Sequence, residues 1–216
     1  APIYHLALIK TLFKERKVKI PISILNIGGI ANITEIDKNL KISSRDIGPG
    51  NCLIDKWIRK NSDKFFDENG NLAKNGKTDK FIFNQYLDNY YYSNINSKRS
   101  LDTNDYDISF VKGLSLENGA ATLTDITSEL LSRKIGTHDI YVCGGGRKNK
   151  FLIHSLNKKI KNNISSIDSL DLNGDYIESQ AFAFIAIRSF IGLPSSFPST
   201  TNCKMPCIGG TTVKSF

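Results

Sequence analysis

The sequence predicts an α/β domain with a mixed β-sheet and helices packed on it. β-like runs are concentrated between residues 18 and 47, and helical and β-like segments alternate after them. An early group of strands followed by such alternation is typical of a mixed sheet flanked by helices. No charge-rich linker divides the 216 residues. We therefore expect one domain over 18–192, preceded by a helix over 1–17 and followed by a tail over 193–216.

The first predicted elements are a helix and a β-hairpin. Pro2 suits the first turn of a helix, and apolar residues follow at helical spacing at Tyr4, Leu8 and Leu12. The stretch "VKIPISILNI" (18–27) is β-like, with Pro21 favouring an early or edge position. "GGI" then turns the chain into "ANITEI", which predicts a hairpin with glycines at its turn. A third strand, "LKISSRDI" (40–47), leads into "GPGN".

Helices and strands alternate in the remaining sequence. Helical spacing of apolar residues predicts helices over 53–58, 81–95, 117–135, 149–160 and 175–190. β-like runs predict strands at "DIYVC" (139–143) and "NISSIDSL" (163–170). Residues 61–80 are polar and predict a surface loop with a helical turn around 64–67, and 97–107 is expected to be irregular. Gly192 and Pro194 end the last helix.

Composition excludes several classes of function. The formal charge is +8, but its lysines are scattered and form no basic face interleaved with aromatic residues, so nucleic acid is not an expected partner. Four widely spaced cysteines are too few for a disulfide framework, and Cys203 and Cys207 lack a second pair of zinc ligands. No apolar run approaches the ~20 residues that span a bilayer, and no signal peptide is recognisable. We therefore expect a cytoplasmic protein with reduced thiols and no membrane partner.

Three glycine-rich turns are the most informative local feature. They are Gly28-Gly29, Gly48-Pro49-Gly50-Asn51 and Gly144-Gly145-Gly146, and each is predicted to follow a strand. Glycine lets the backbone approach a ligand, and free N–H groups at a helix N-terminus favour anions. One such turn alone is more often structural, since glycine suits any tight turn. Three turns near one edge of a sheet favour a nucleotide or a phosphorylated ligand.

The type of nucleotide is not fixed by these turns alone. A dinucleotide-binding unit needs G-x-G-x-x-G and an acid about twenty residues later. Residues 144–149 lack the final glycine, although Asp168 could serve as the acid. An NAD-binding enzyme therefore remains an alternative. The G-x4-G-K-[ST] motif of a P-loop and the motifs of protein kinases are absent.

Several collinear motifs resemble the anhydro-N-acetylmuramic acid kinase family. They are "LNIGGIANIT", "RDIGPGNCLID", "ENGAATLTDIT", "CGGGRKN" and "ESQAFAFIAIRSFIGLP". The resemblance implies an actin-like (ribonuclease H-like) ATPase domain of the sugar-kinase, heat-shock-ATPase and actin superfamily. It also implies a kinase that uses ATP and Mg²⁺ to phosphorylate O6 of a 1,6-anhydro amino sugar. Water opens the anhydro ring in the same reaction, as part of peptidoglycan recycling.

The resemblance implies where the nucleotide binds. The hairpin 26–32 matches the family's second phosphate loop, where Gly28 and Gly29 would offer N–H groups to the β- and γ-phosphates. Residues 144–149 match the adenosine motif, and 46–51 match a loop that faces the cleft. The expected ATP-binding residues are Asn26, Gly28, Gly29, Asn32, Gly48, Gly50, Asn51, Gly144, Gly145, Gly146 and Asn149.

Two carboxylates each have a functional and a structural interpretation. Asp46 is a candidate ligand of Mg²⁺ through water, or it caps the turn that follows its strand. Glu178 starts the helix that matches the family's interdomain segment and would lie close to the sugar. Alternatively, it is a first-turn acid favoured by the helix dipole.

The family's first phosphate loop and catalytic base have no counterpart in this sequence. The loop reads Gly-Thr-Ser-x-Asp-Gly, and the base is an Asp upstream of a "GGQGAPL" run. We therefore assign no catalytic residue here and expect a C-terminal part of a family member that is inactive alone. Its expected partners are the sugar, a missing N-terminal domain or chain, and further copies in a homo-oligomer. The alternative is a non-catalytic actin-like module that binds nucleotide or sugar.

Overall fold

A mixed five-stranded sheet forms the centre of the protein. The computed structural model describes residues 1–94, 100–211 and 213. Its strands are β1 (Ile22–Ile27), β2 (Ile30–Ile36), β3 (Ile42–Pro49), β4 (Asp139–Cys143) and β5 (Ile164–Ser166). Their order across the sheet is β3-β2-β1-β4-β5. The predicted mixed sheet, its hairpin and the first four strands are confirmed. The strand predicted over 163–170 is confirmed only over Ile164–Ser166, because Ile167–Leu170 form a 3₁₀ turn.

The pairing of the strands brings the three glycine turns to one edge. β1 pairs antiparallel with β2, and β2 pairs antiparallel with β3. β1 pairs in parallel with β4, and β4 in parallel with β5. The carboxyl ends of β1, β3 and β4 therefore lie at the same edge. Ligands of open α/β sheets bind outside this edge.

The third strand runs further than the sequence predicts. Gly48 and Pro49 pair with Ala31 and Ile30, so the second glycine turn begins inside β3 instead of after it. Pro49 is tolerated there because β3 is an edge strand of the sheet. The register shifts between Ala31 and Asn32, directly opposite this end of β3.

Helices cover the sheet, and most of them match their predictions. They are α1 (Pro2–Lys14), α2 (Cys52–Asn61), α3 (Asn71–Asn75), α4 (Lys80–Asn94), α5 (Leu116–Ser132), α6 (Lys150–Asn157), α7 (Ile177–Phe190) and α8 (Pro198–Thr201). Residue 95 of the helix predicted over 81–95, and residues 97–99 of the irregular segment, lie outside the described ranges.

The helical turn expected around 64–67 lies further along the chain. A 3₁₀ turn spans Glu68–Gly70 and leads into α3. The buried carboxylate of Asp67 accepts the N–H groups of Leu72 at 2.8 Å and Ala73 at 2.9 Å. Asp67 therefore supplies the acceptor that free N–H groups at a helix start require.

Two apolar layers hold the helices on opposite faces of the sheet. One layer joins Leu25 and Ile27 of β1 to residues of α2, α5 and α6. The other joins Ile24 of β1 to Ile9 and Leu12 of α1. Alternate residues of a strand point to opposite faces, which explains how β1 serves both layers. The described helices include none that is both long and apolar enough to cross a membrane.

Candidate functional site

The hairpin turn is joined to the start of α2 by backbone hydrogen bonds. The carbonyl of Gly28 accepts the N–H of Asn51 at 2.7 Å. The carbonyl of Gly29 accepts the N–H groups of Gly50 at 2.9 Å and Cys52 at 3.2 Å. The N–H of Gly28 donates to Ile30 within the turn at 3.3 Å. These N–H groups are thus engaged within the fold, whereas Gly29 lies exposed at the tip of the hairpin.

The three consecutive glycines after β4 have different structural roles. A Cβ on Gly144 would lie 2.3 Å from Asn26 Oδ1, and one on Gly146 would lie 2.2 Å from Ile27 Cγ2. Both positions therefore require glycine because the loop packs directly on β1. Gly145 is different, since the nearest atom to its Cβ position is Asn51 Nδ2 at 3.9 Å. Gly145 is exposed, and packing within the chain leaves its side-chain position open.

Arg147 anchors this glycine loop to the segment before α7. Its side chain is 6% exposed and bonds Asp168 at 2.8 Å and Asp175 at 2.9 Å. It also donates to the carbonyl of Gly144 at 3.1 Å. These bonds hold the pKa of both carboxyls below their usual range and raise that of Arg147. The loop geometry therefore depends on a charge cluster that the sequence analysis did not assign.

A cavity of about 570 Å³, here called the nucleotide-side cavity, opens beside the loop. Three of the expected ATP-binding residues line it, Asn51, Gly145 and Asn149. Asn149 also caps α6, because its Oδ1 accepts the N–H of Leu152 at 2.9 Å. The other lining residues are Asp55, Phe66, Asp67, Glu68, Asn69, Arg147, Lys148 and Lys150. The cavity combines an aromatic ring, amides and charges of both signs.

Asp55 is the lining residue of most chemical interest that sequence reasoning missed. It lies four residues after Asn51 in α2, so both face the same side of that helix. Burial raises the pKa of its carboxyl to about 6, Arg59 lowers it, and Asp67 raises it further. The four-residue spacing from Asn51 is the sequence signal that could have pointed to Asp55. The spacing alone does not show that the carboxylate lines a cavity.

A second cavity, of about 110 Å³, lies on the other side of Gly145. We call it the sugar-side cavity. Asn26, Gly144, Gly145 and Glu178 line it together, which brings four predicted site residues to one place. Cys143 also lines it, and burial raises the pKa of this thiol to about 12. The thiol is therefore protonated at neutral pH and is not a nucleophile.

The other predicted residues lie on the strands beside these cavities. Asn32 pairs with Asn26 in the hairpin and with Asp46 in β3. Asp46 accepts the N–H of Leu101 at 3.0 Å, so one of its oxygens holds the segment after residue 100. Gly48 is buried against α5, with its Cβ position 3.3 Å from Leu131 Cδ2. Asn32, Asp46 and Gly48 line neither of the two cavities.

The geometry does not support the NAD interpretation. In an NAD site, Asp168 would have to bind a ribose. Its oxygens instead accept hydrogen bonds from Arg147, from Ser166 Oγ at 2.5 Å and from the N–H of Gly174 at 2.8 Å. The first three strands are antiparallel neighbours, whereas a dinucleotide-binding sheet is mostly parallel. Asp168 is therefore a structural partner of Arg147.

Comparison with known proteins identifies the family. The family model for anhydro-N-acetylmuramic acid kinase matches residues 1–215. The protein of that name from Pelagibacter ubique is 44% identical over 229 residues, covering 100% of this chain and 60% of its own length. The one from Zymomonas mobilis is 38% identical, covering 97% of this chain and 57% of its own length. The chain thus spans about three fifths of the curated relatives it matches.

A comparison of folds gives a more distant similarity. The activator of 2-hydroxyisocaproyl-CoA dehydratase from Clostridium difficile, solved with bound ADPNP, matches with a TM-score of 0.46. It is 16% identical, and the match covers 74% of this chain and 57% of that one. The family match and the mixed sheet with flanking helices agree with the predicted actin-like class. Because the family model matches residues 1–215, the chain belongs to the anhydro-N-acetylmuramic acid kinase family.

Proposed function

We propose that this chain forms the part of a sugar kinase that binds ATP and one side of an anhydro amino sugar. The complete reaction would transfer the γ-phosphoryl group of ATP to O6 of 1,6-anhydro-N-acetylmuramic acid. Water would open the anhydro bridge, giving N-acetylmuramic acid 6-phosphate. The proposal rests on the family match and on the sheet edge where the three glycine turns meet.

The observation that carries the proposal is the position of Gly145. It lines both the nucleotide-side and the sugar-side cavity, and its Cβ position is open. Gly144 and Gly146 require glycine for packing on β1, whereas within the described part of the chain no atom beyond the adjacent residues lies nearer than 3.9 Å to the Cβ position of Gly145. Close approach of a ligand to the backbone is a physical reason for a glycine at such an open position.

The lining residues suit the parts of the two substrates. Phe66 offers an aromatic surface to a base, and Lys148 and Lys150 bring positive charge to the same cavity. Asn26 and Glu178 offer polar groups to sugar hydroxyls on the other side. Mg²⁺ would be held mainly by the phosphates, a usual arrangement for this ion. The described residues include no cluster of three or more His, Cys, Asp or Glu that could hold a metal.

Titration of the 216-residue protein with ATP, followed by nuclear magnetic resonance, tests the binding site. We expect ATP to shift the backbone amide signals of 144–149 and 50–55 in the wild-type chain. Gly145→Leu fills the junction of the two cavities and should abolish these shifts. Asn157→Leu adds the same side chain at an exposed position near the end of α6 and should bind ATP like wild type. Equal binding by both variants would rule out this site.

Turnover is a separate question from binding. The resemblance implies that the family's catalytic base and first phosphate loop are not among these 216 residues. Phosphoryl transfer depends on holding nucleophile, phosphate and charge-stabilising groups together. We therefore expect this chain alone to form no sugar 6-phosphate from ATP and the anhydro sugar. Product formation at a rate ordinary for kinases would show that the 216 residues suffice.

A further inference from the structure

Asp55 is a half-buried carboxylate without a hydrogen-bond donor from the described part of the chain. It lines the nucleotide-side cavity on α2, one helical turn after Asn51. Burial is the largest influence on its pKa, and no hydrogen bond contributes to it. Asp67 nearby is different, because its carboxylate is satisfied by two backbone N–H groups of α3. Asp55 thus presents to the cavity carboxylate acceptors that no donor of the described chain occupies and that are free to pair with donors of a ligand.

The surrounding charges do not neutralise Asp55. Arg59 follows it by one turn of α2 and lowers its pKa, while Asp67 raises it, and burial outweighs both. The positive groups on the loop across the cavity are already paired. Arg147 is bound to Asp168 and Asp175, and Lys148 bonds Asp175 at 2.7 Å. Glu68 and Lys150 also line the cavity, with opposite charges.

The chemistry of a carboxylate selects one part of a nucleotide. The phosphates are anionic and would be repelled by it. The pairing edge of adenine places the acceptor N1 beside the N6 donor, so it offers a carboxylate only one favourable contact. The 2′- and 3′-hydroxyls of ribose provide two neighbouring donors, which suit the two oxygens of one carboxylate. Asp55 lines the cavity together with Phe66 and Gly145, and ribose is the part of the nucleotide that joins the base to the phosphates.

We propose that Asp55 accepts hydrogen bonds from the ribose hydroxyls of the bound nucleotide and thereby selects ribonucleotides. This inference rests on the nucleotide site proposed above. It assigns a specificity-determining role to a first-turn acid of α2 whose carboxylate lines the cavity. Hydrogen bonds to a charged group are among the stronger ones, so their loss should be measurable in binding.

The test compares ATP with 2′,3′-dideoxy-ATP, which lacks both hydroxyls, by resonance titration of the 216-residue chain. Wild-type chain should bind ATP about 10- to 100-fold more tightly than the dideoxy analogue. Asp55→Asn should lose that preference through weaker ATP binding, with affinity for the analogue unchanged. Asp63→Asn removes one negative charge from an exposed position outside the cavity and should keep the wild-type preference.

The possible outcomes separate this inference from the function on which it rests. Failure of the wild-type chain to bind ATP would overturn both. Binding of ATP without preference over the dideoxy analogue would overturn the role of Asp55 and leave the nucleotide site intact. The same holds if Asp55→Asn keeps the full preference. Loss of preference in Asp55→Asn but not in Asp63→Asn supports the inference.

Discussion

Gly146 and Ile27 are 119 positions apart in sequence, yet their atoms are packed without room for a methyl group. A Cβ on Gly146 would lie 2.2 Å from Ile27 Cγ2, 2.6 Å from Ile27 Cβ and 3.0 Å from its carbonyl oxygen. Real Cβ atoms do not approach other heavy atoms that closely. This contact fixes the glycine loop on β1. The neighbouring residue, Gly145, lines both cavities.

The adjacent glycines should therefore respond differently to the same substitution. We expect Gly146→Ala to lower the free energy of unfolding by about 3 kcal/mol, because the methyl group overpacks against β1. Gly145→Ala has room for its methyl group and should change stability by less than about 1 kcal/mol. Chemical denaturation of both variants measures the difference. Similar stabilities would mean that the loop does not pack on Ile27 as described.

A second glycine pair tests the junction between the hairpin and α2. A Cβ on Gly50 would lie 2.2 Å from the carbonyl oxygen of Gly28 and would break the hydrogen bonds that join the two turns. We expect Gly50→Ala to destabilise the protein by about 2–3 kcal/mol. Gly28→Ala is the matched control, since its nearest contact is 3.5 Å and its backbone conformation is accessible to alanine. It should cost less than about 1 kcal/mol in the same denaturation experiment.

The Arg147 cluster predicts how stability depends on acidic pH. The pKa of Asp168 and Asp175 is lowered in the folded protein, mainly by hydrogen bonds from Arg147. A carboxyl group whose pKa is lower in the folded than in the unfolded protein stabilises the fold when the pH is above its unfolded pKa, which is near 4. This stabilisation is lost as the pH falls through the folded pKa. Arg147→Met should flatten the loss of stability between pH 4 and 2. Because the hydrogen bonds of the buried guanidinium to Asp168 and the Gly144 carbonyl are lost, the variant should also be less stable at pH 7, by about 2 kcal/mol in chemical denaturation.

The control for this cluster is an arginine on the surface. Arg133 follows α5 directly and bonds Glu129 of that helix at 2.7 Å, and its side chain is 49% exposed. Exposed ion pairs of this kind contribute little. Arg133→Met should lower the free energy of unfolding by less than Arg147→Met does. An equal effect of both substitutions would contradict a special role for the Arg147 cluster.

Asp55 should give stability the opposite dependence on pH, decreasing it as the pH rises towards neutrality. Burial raises its pKa to about 6, so the folded state disfavours the ionised form. The stability of the fold is then highest below the unfolded value near 4 and decreases as pH rises through 6. Asp55→Asn should be more stable than wild type at pH 7.5, by about 1 kcal/mol after solvent screening, and equally stable below pH 4. Thermal unfolding at both pH values checks this; lower stability of the variant at pH 7.5 would contradict it.

The sequence predicted the elements whose signals are local. The pair Gly28-Gly29 between two β-like runs predicted the hairpin, and helical spacing of apolar residues predicted most of the helices. Boundaries were less accurate where distant contacts decide them. β3 continues through Pro49 because it pairs with β2, and the turn expected around 64–67 lies after Asp67, which caps α3.

Collinear motifs predicted the family, because their order and spacing can be read from a single sequence. The family match confirms this prediction. Several of the site residues that the motifs predict lie together in the fold, since Asn51 and Gly145 line one cavity and Asn26 and Glu178 line another. Motifs did not single out Asp55 within "RDIGPGNCLID". Its importance depends on which groups surround its carboxylate, and those come from three separate segments.

The sequence by itself determined the mixed α/β class, the hairpin, the three glycine turns and the family. Only the tertiary structure decided which glycine of 144–146 can face a ligand and which two are required by packing on β1. It also decided that Arg147 holds the loop and that Asp55 receives no hydrogen bond from the residues that the structure describes. The physical reason is that turn and helix signals act over a few residues, whereas steric contact and desolvation depend on atoms that only folding brings together.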